Sequence, residues 1–214
     1  MNKILKRIKI YLNQKKSIPS SYPFVMYDEE KELFKRYISN SKNYLEFGLG
    51  GSTIFTLINS KAKITSVDTN IEWINFVEKY KIIKQSIPHR LKIVHINIGP
   101  TKSWGFPVND DHQDKFEDFS KKIFEMHKDE KYDFILVDGR FRVACALQAI
   151  INQLDNDELF IGVHDYSIRT EYSILEKFMD IVEFSKTLYV FKIKPQLDVN
   201  ELQEVYEEYK LVAE

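Results

Sequence analysis

Two groups of residues in this chain of 214 combine side-chain types and spacings that chemistry can use. The first is Glu46-Phe47-Gly48-Leu49-Gly50-Gly51-Ser52-Thr53, with Asp68 following twenty residues after Gly48. Glycines let a backbone turn sharply and approach a ligand closely, and Ser52 or Thr53 can cap a helix that follows. A carboxylate placed like Asp68 can accept from both hydroxyls of a ribose. The pairing suits either a dinucleotide or S-adenosylmethionine, and two details separate them. The dinucleotide fingerprint wants a further glycine three positions after Gly50, where this chain has Thr53. Glu46 would repel a pyrophosphate, whereas it would attract an ammonium or sulfonium by roughly 4 kcal/mol at 4 Å for an effective dielectric of 20. No Gly-Lys-Ser/Thr is present, which excludes a phosphate-binding P-loop.

The second group is Asp138 with His164-Asp165. Transfer of a methyl group from a sulfonium is an in-line displacement, so alignment supplies much of the rate, on the order of 7–11 kcal/mol. A hydroxyl acceptor must also lose its proton, which a positioned base accelerates by roughly 10²–10⁴-fold. His164 is the expected base, with Asp165 or Asp138 orienting it; the plainer alternative is a neutral imidazole that closes a hydrogen-bond network. The same three residues are candidate ligands for a divalent metal, although no third oxygen ligand is evident. Arg140, Arg142 and Arg169 flank them and could clamp an acidic sugar or a phosphorylated intermediate. Arg140 is favoured over Arg142, whose neighbours Val143 and Ala144 begin an apolar helix. Trp104 and Phe106 stand in a loop where aromatic faces can stack on sugars, or anchor the loop itself. Tyr166 is a further candidate substrate contact, and Glu171 and Tyr172 are plausible cleft residues with less support. His89, His95, His112 and His127 show no ligand spacing, and Cys145, the only cysteine, reads as core.

The elements that must hold these residues alternate along the chain. Residues 28–39 read as helix, 43–47 as strand, 53–58 as helix and 64–67 as strand. Helix 71–84, strand 91–96, a polar helical region 110–129 and strand 132–137 follow. Then come an apolar helix 143–154, strand 159–164 and helix 170–179. Strands 181–184 and 188–193 suit a terminal hairpin, and an acidic helix from 198 ends the chain. Such alternation implies a doubly wound parallel sheet of about seven strands with helices on both faces. In such sheets ligands sit beyond the carboxyl ends of the strands, where both groups of residues fall.

Read in order, Tyr44–Thr53 and Ser66-Val67-Asp68 resemble motifs I and II of the class I methyltransferases. Ile98–Thr101, Trp104–Pro107, Asp138–Arg142 and Val163–Tyr166 resemble a bacterial branch of those enzymes often associated with cell-surface polysaccharide genes. The Phe-Gly-x-Gly and Val-His-Asp elements are also distantly similar to plant glucuronoxylan 4-O-methyltransferases. The resemblance covers about residues 25–195. It implies a Rossmann-like α/β fold with sheet order 3-2-1-4-5-7-6 and the seventh strand antiparallel. It also implies S-adenosylmethionine as cofactor, with Glu46, Gly48, Gly50, Ser52, Thr53 and Asp68 holding it.

Composition sets the outer limits. Net charge is −1, with no overall basic field to hold a nucleic acid. No apolar run approaches the roughly 18 residues that span a bilayer, and no signal peptide is evident, so the expected compartment is the cytoplasm. Residues 1–16 nevertheless hold six basic residues and no acid. Residues 2–14 form a basic amphipathic pattern that would either pack on the domain edge or touch a membrane surface. The expected organisation is this N-terminal helix with its connector (1–24), a methyltransferase domain (25–197) and an acidic C-terminal helix (198–214). The expected activity is O-methylation of a hydroxyl on a sugar or glycan precursor. The rivals are an NAD-linked oxidoreductase and a non-catalytic cofactor-binding scaffold at a membrane-associated glycan synthesis complex.

Overall fold

The computed structural model describes residues 3–214. Seven strands form one sheet: β1 (Asn43–Phe47), β2 (Lys63–Asp68), β3 (Leu91–His95), β4 (Phe134–Val137), β5 (Phe160–Val163), β6 (Met179–Ser185) and β7 (Leu188–Ile193). Their order is 3-2-1-4-5-7-6, with β1 to β5 parallel and β7 antiparallel to both β5 and β6. This is the sheet implied above. The helices are α1 (Lys3–Gln14), α2 (Asp28–Asn40), α3 (Gly51–Asn59), α4 (Ile71–Val77), α5 (Lys81–Ser86), α6 (Phe116–Met126), α7 (Arg142–Asn152) and α8 (Val199–Tyr209).

Strand alternation feeds two cores. In β4, Ile135 and Val137 point into one layer and Phe134 and Leu136 into the other. The first layer is closed by α6, α7 and α8, the second by α2, α3, α4 and α5. Leu202, Val205 and Tyr206 of α8 are buried in the first layer, so the C-terminal helix is part of the core. Because both faces of β4 are covered, all four of its residues are buried, and each such side chain contributes on the order of 2 kcal/mol.

Three expected elements differ. The helix expected over 71–84 is broken at residues 78–80, where Tyr80 is fully buried and starts a second helix. The region 110–129 condenses to α6 after a single 3-10 turn at Gln113–Lys115. The helix expected at 170–179 is a 3-10 segment, Thr170–Lys177, and β6 then starts at Met179 rather than at residue 181. A three-residue repeat holds Tyr172 and Leu175 on one side, facing the core, which the tighter winding permits.

Candidate active site

The order in which strands are added to the sheet reverses between the parallel neighbours β1 and β4, and their carboxyl ends open a crevice there. β1 runs into Gly48, whose φ of +112° suits glycine alone. A Cβ at Gly48 would lie 3.1 Å from the backbone of Asp138 and Gly139. A Cβ at Gly139 would lie 3.2 Å from the backbone of Phe47. The turns after β1 and β4 are thus pressed together, and this brings the glycine loop and Asp138 to one place.

Glu46 lies beneath the loop and is fully buried. Its carboxylate accepts from Tyr44 Oη at 2.9 Å and Ser52 Oγ at 2.6 Å, and from the Thr53 hydroxyl. Thr53 Oγ1 also accepts the Gly50 N–H at 2.9 Å. The residue standing where the dinucleotide fingerprint has glycine therefore ties the loop to Glu46. Burial pushes the Glu46 carboxyl up to about 7, against these hydroxyl donors. Its carboxylate has no opening of its own to the crevice, so Glu46 acts through the shape of the loop. Asp68, ending β2, accepts the N–H groups of Leu49 (3.1 Å) and Asn70 (2.9 Å). Burial raises it to about 6. Trp73 of α4, which sequence reasoning did not single out, donates Nε1–H to Leu49 O at 2.6 Å and packs 3.5 Å from where a Gly50 Cβ would stand. From the other side the connector covers the loop: a Cβ at Gly51 would fall 2.2 Å from Pro23 O.

His164 follows β5 and is 6% exposed. Its Nδ1 is 2.9 Å from Asp138 Oδ1, and its Nε2 is 3.3 Å from Glu30 Oε2. Glu30 sits in the first turn of α2, fully buried, and accepts from Thr187 N, Thr187 Oγ1 and Tyr27 N at 2.7–2.8 Å. Burial works to raise the Glu30 carboxyl, but these donors and the charge on His164 hold it below its ordinary value. Burial likewise works to lower His164, and is outweighed by Asp138 first, then Asp165 and Glu30; the imidazole is raised to about 9. A carboxylate at each nitrogen favours the imidazolium form of His164. A free imidazole base, as expected from the sequence, would need an unpartnered nitrogen that this geometry does not leave.

Arg142, set aside above as a helix neighbour, is instead central. Its Nη1 donates to Asp165 Oδ2 at 2.8 Å and to His164 O at 2.7 Å, its Nε donates to Gly139 O at 3.0 Å, and its Nη2 lies 3.5 Å from Asp138 Oδ1. Asp138, His164 and Asp165 do offer ligand atoms within 4.8 Å of one another. A divalent cation nevertheless fits this set poorly, since the buried Arg142 guanidinium already bridges both carboxylates and His164 Nδ1 occupies Asp138 Oδ1. Asp138 Oδ1 carries those contacts, and the Asp138 side chain is 25% exposed.

The other candidates divide. Arg140 stacks its guanidinium 4.1 Å over Phe106 and donates Nη1–H to the backbone oxygen of Glu214 at 2.6 Å. Burial, with Arg142 and Arg169 nearby, lowers it to about 10. Val143 N, in the first turn of α7, donates to Glu214 Oε1 at 2.8 Å. A carboxylate is therefore already seated beside these arginines. Arg169 lies 5.8 Å over the Tyr172 ring, and its charge bears on Asp165. Trp104 is 75% exposed on the 99–107 loop. A Cβ at Gly105 of that loop would come 3.1 Å from Thr69 and 3.7 Å from Arg140, so the loop borders both groups. Tyr166 corrects an expectation: it is packed among Tyr189 and Phe191, its hydroxyl donates to Glu176 at 2.7 Å, and nothing of it remains for an acceptor. Trp104, Phe141 and Asp165 all adopt positive φ; at the buried Phe141 and half-buried Asp165 the cost, of order 1–3 kcal/mol each, is sustained by the surrounding packing.

No protein-family model and no functionally curated protein matches the sequence. Solved structures do. A methyltransferase-like protein from Silicibacter pomeroyi is similar at 25% identity and a TM-score of 0.76, over 90% of this chain and 98% of that one. A cofactor-bound protein from MTB, Rv0187, is similar at 10% identity and a TM-score of 0.54, over 91% and 90% of the two chains. A protein from Corynebacterium glutamicum is similar at 8% identity and a TM-score of 0.52, over 89% and 91%. The architecture is that of a Rossmann-like methyltransferase.

Proposed function

We propose that the chain is an S-adenosylmethionine-dependent O-methyltransferase whose acceptor is a hydroxyl on an acidic sugar or glycan precursor. The observation that carries this reading is the contact of the Gly48 turn with Asp138 and Gly139, which sets a cofactor-type loop against a carboxylate at the switch point. S-adenosylmethionine, when bound, supplies the electrophilic methyl carbon. The glycine loop, braced by Glu46, Ser52 and Thr53, gives its backbone to that ligand, and Asp68 takes ribose hydroxyls on the lone pairs left by Leu49 and Asn70. The acceptor hydroxyl would donate to Asp138, which would take its proton as the methyl group passes from sulfur to that oxygen and the neutral thioether leaves. His164 and Arg142 hold Asp138 in place, and Asp165 holds Arg142. Arg140 and Arg169 receive an acidic group, a role supported by the Glu214 carboxylate seated there, and Trp104 offers an aromatic face. The Thr53–Glu46 bond in place of a third glycine weighs against the oxidoreductase alternative.

Two experiments bear on this reading. Calorimetry should show binding of S-adenosylmethionine and S-adenosylhomocysteine, with Asp68→Ala weakening it by at least about tenfold through two lost charge-assisted hydrogen bonds. Absence of binding to both ligands would sink the cofactor half. Dialysis against a chelator should leave turnover unchanged, since Arg142 supplies the cation between the carboxylates. Loss of turnover restored by magnesium or manganese would show instead that Arg142 yields to a metal.

A further inference from the structure

We propose that α1 binds the surface of an anionic lipid membrane through the face it turns away from the protein. At 100° per residue, Tyr11, Ile8, Leu12 and Leu5 fall within one arc of about 120°, which also contains Ile4. These four are 49–58% exposed. The opposite side of the helix holds Lys6, Ile10, Asn13 and Gln14; Lys6 is exposed, but Ile10 is half-buried and Asn13 and Gln14 are buried where the connector folds back on them. Asn13 makes the attachment, its Oδ1 accepting from Ser20 N, Ser20 Oγ and Ser21 N at 2.9–3.1 Å while its Nδ2 donates to Lys9 O at 2.9 Å. The helix is thus fastened by its polar side and presents its apolar side outward, the reverse of a helix packing on a domain edge.

Charge identifies what covers that side. Arg7 and Lys9 border the arc on its two edges, and residues 1–16 contain no acid. Aliphatic side chains flanked by long cationic ones match the boundary between acyl chains and anionic headgroups, where the cations reach outward to phosphate. Pairing with α1 of a second copy would bring basic edges together with no acid to offset them. A nucleic acid would use the charge and leave the apolar arc in water. A helix of twelve residues is marginal alone, so a surface that buries this arc also stabilises it. No described helix is long and apolar enough to cross a membrane, so α1 would lie on the surface. The connector from α1 to the Pro23–Phe24 segment over Gly51 places this contact close in sequence to the crevice.

The test is co-sedimentation of the full chain with vesicles of equal parts phosphatidylcholine and phosphatidylglycerol, against phosphatidylcholine alone. Binding is expected to the anionic vesicles and to fall with salt. Ile8→Ser with Leu12→Ser should reduce it by at least about tenfold. Each of Arg7→Gln and Lys9→Gln should reduce it by about fivefold. None of the four substitutions removes a buried side chain, so melting temperature should hold and S-adenosylhomocysteine binding should persist. Failure of the wild-type chain to sediment at low salt, or equal binding by the variants, would overturn the proposal. So would a dimer in light scattering that Ile8→Ser with Leu12→Ser dissolves while vesicles bind neither form.

Discussion

Asp138→Asn should lower turnover by about 10²–10⁴-fold while changing S-adenosylhomocysteine affinity by no more than about twofold. Asparagine keeps the size of the side chain and can still accept from His164 through its amide oxygen, now 2.9 Å from Nδ1 at Asp138. It cannot take a proton from the acceptor. The effect should therefore fall on kcat, with KM for the acceptor changing little, because a group that acts mainly in the transition state shows itself in that pattern. The proposed cofactor contacts are the glycine loop and Asp68, and the turn after β1 meets Asp138 through its backbone, at Gly48 and in the Asp138 N–H to Phe47 O bond. Asp165→Asn is the control: its Oδ2 is spent on Arg142, so its loss should cost less, through a loosened Arg142. A fall in turnover smaller for Asp138→Asn than for Asp165→Asn would move the proton acceptor to Asp165.

The fold and the cofactor-type loop were legible because their causes are local. Alternating apolar runs with glycine punctuation define β1 to β5, and Thr53 three residues after Gly50 distinguishes this loop from a dinucleotide turn. The ends of β4 and β5 carry Asp138 and His164 whatever the details of packing. What escaped is set by distance along the chain. Glu30 meets His164 across 134 residues, and its first-turn position on α2 looks like ordinary helix capping, which it also provides through Tyr27 N. That partner occupies Nε2, the nitrogen a base would need free, while Asp138 contributes most to raising the imidazole. Arg142 was discounted because Val143 and Ala144 are apolar, yet a helix start beside two strand-end carboxylates is where a buried guanidinium can be fully paired. Tyr166 was drawn into the site by adjacency to Asp165, although the positive φ of Asp165 turns the chain there and sends the ring into the core.

His164→Gln should separate the two readings of that residue by the sign of a pH effect. As a base, His164 would make activity rise with pH through its own titration and vanish in the variant. As a cation that positions Asp138, it makes activity fall above about pH 9, and the variant should retain a reduced turnover without that alkaline limb. Stability gives an independent measure. The imidazole is raised from 6.5 to about 9 on folding, so its contribution is complete below about pH 6.5 and is lost as pH climbs to about 9. That contribution is on the order of 3 kcal/mol, and it should be visible as a decline in the wild-type unfolding free energy across this window that His164→Gln does not show. Glu46, raised to about 7, and Asp68, raised to about 6, lose stability in the same direction but at lower pH. The comparison therefore belongs above pH 7, where the His164 imidazole changes most and the contributions of the other groups are shared by both proteins. At pH 6 the variant should be the less stable of the two by at least about 3 kcal/mol, because Glu30 and Asp138 would face each other across a neutral amide. Parallel stability curves for the two proteins from pH 7 to 9 would mean that His164 is neutral between its carboxylates, and would return it to the role of base.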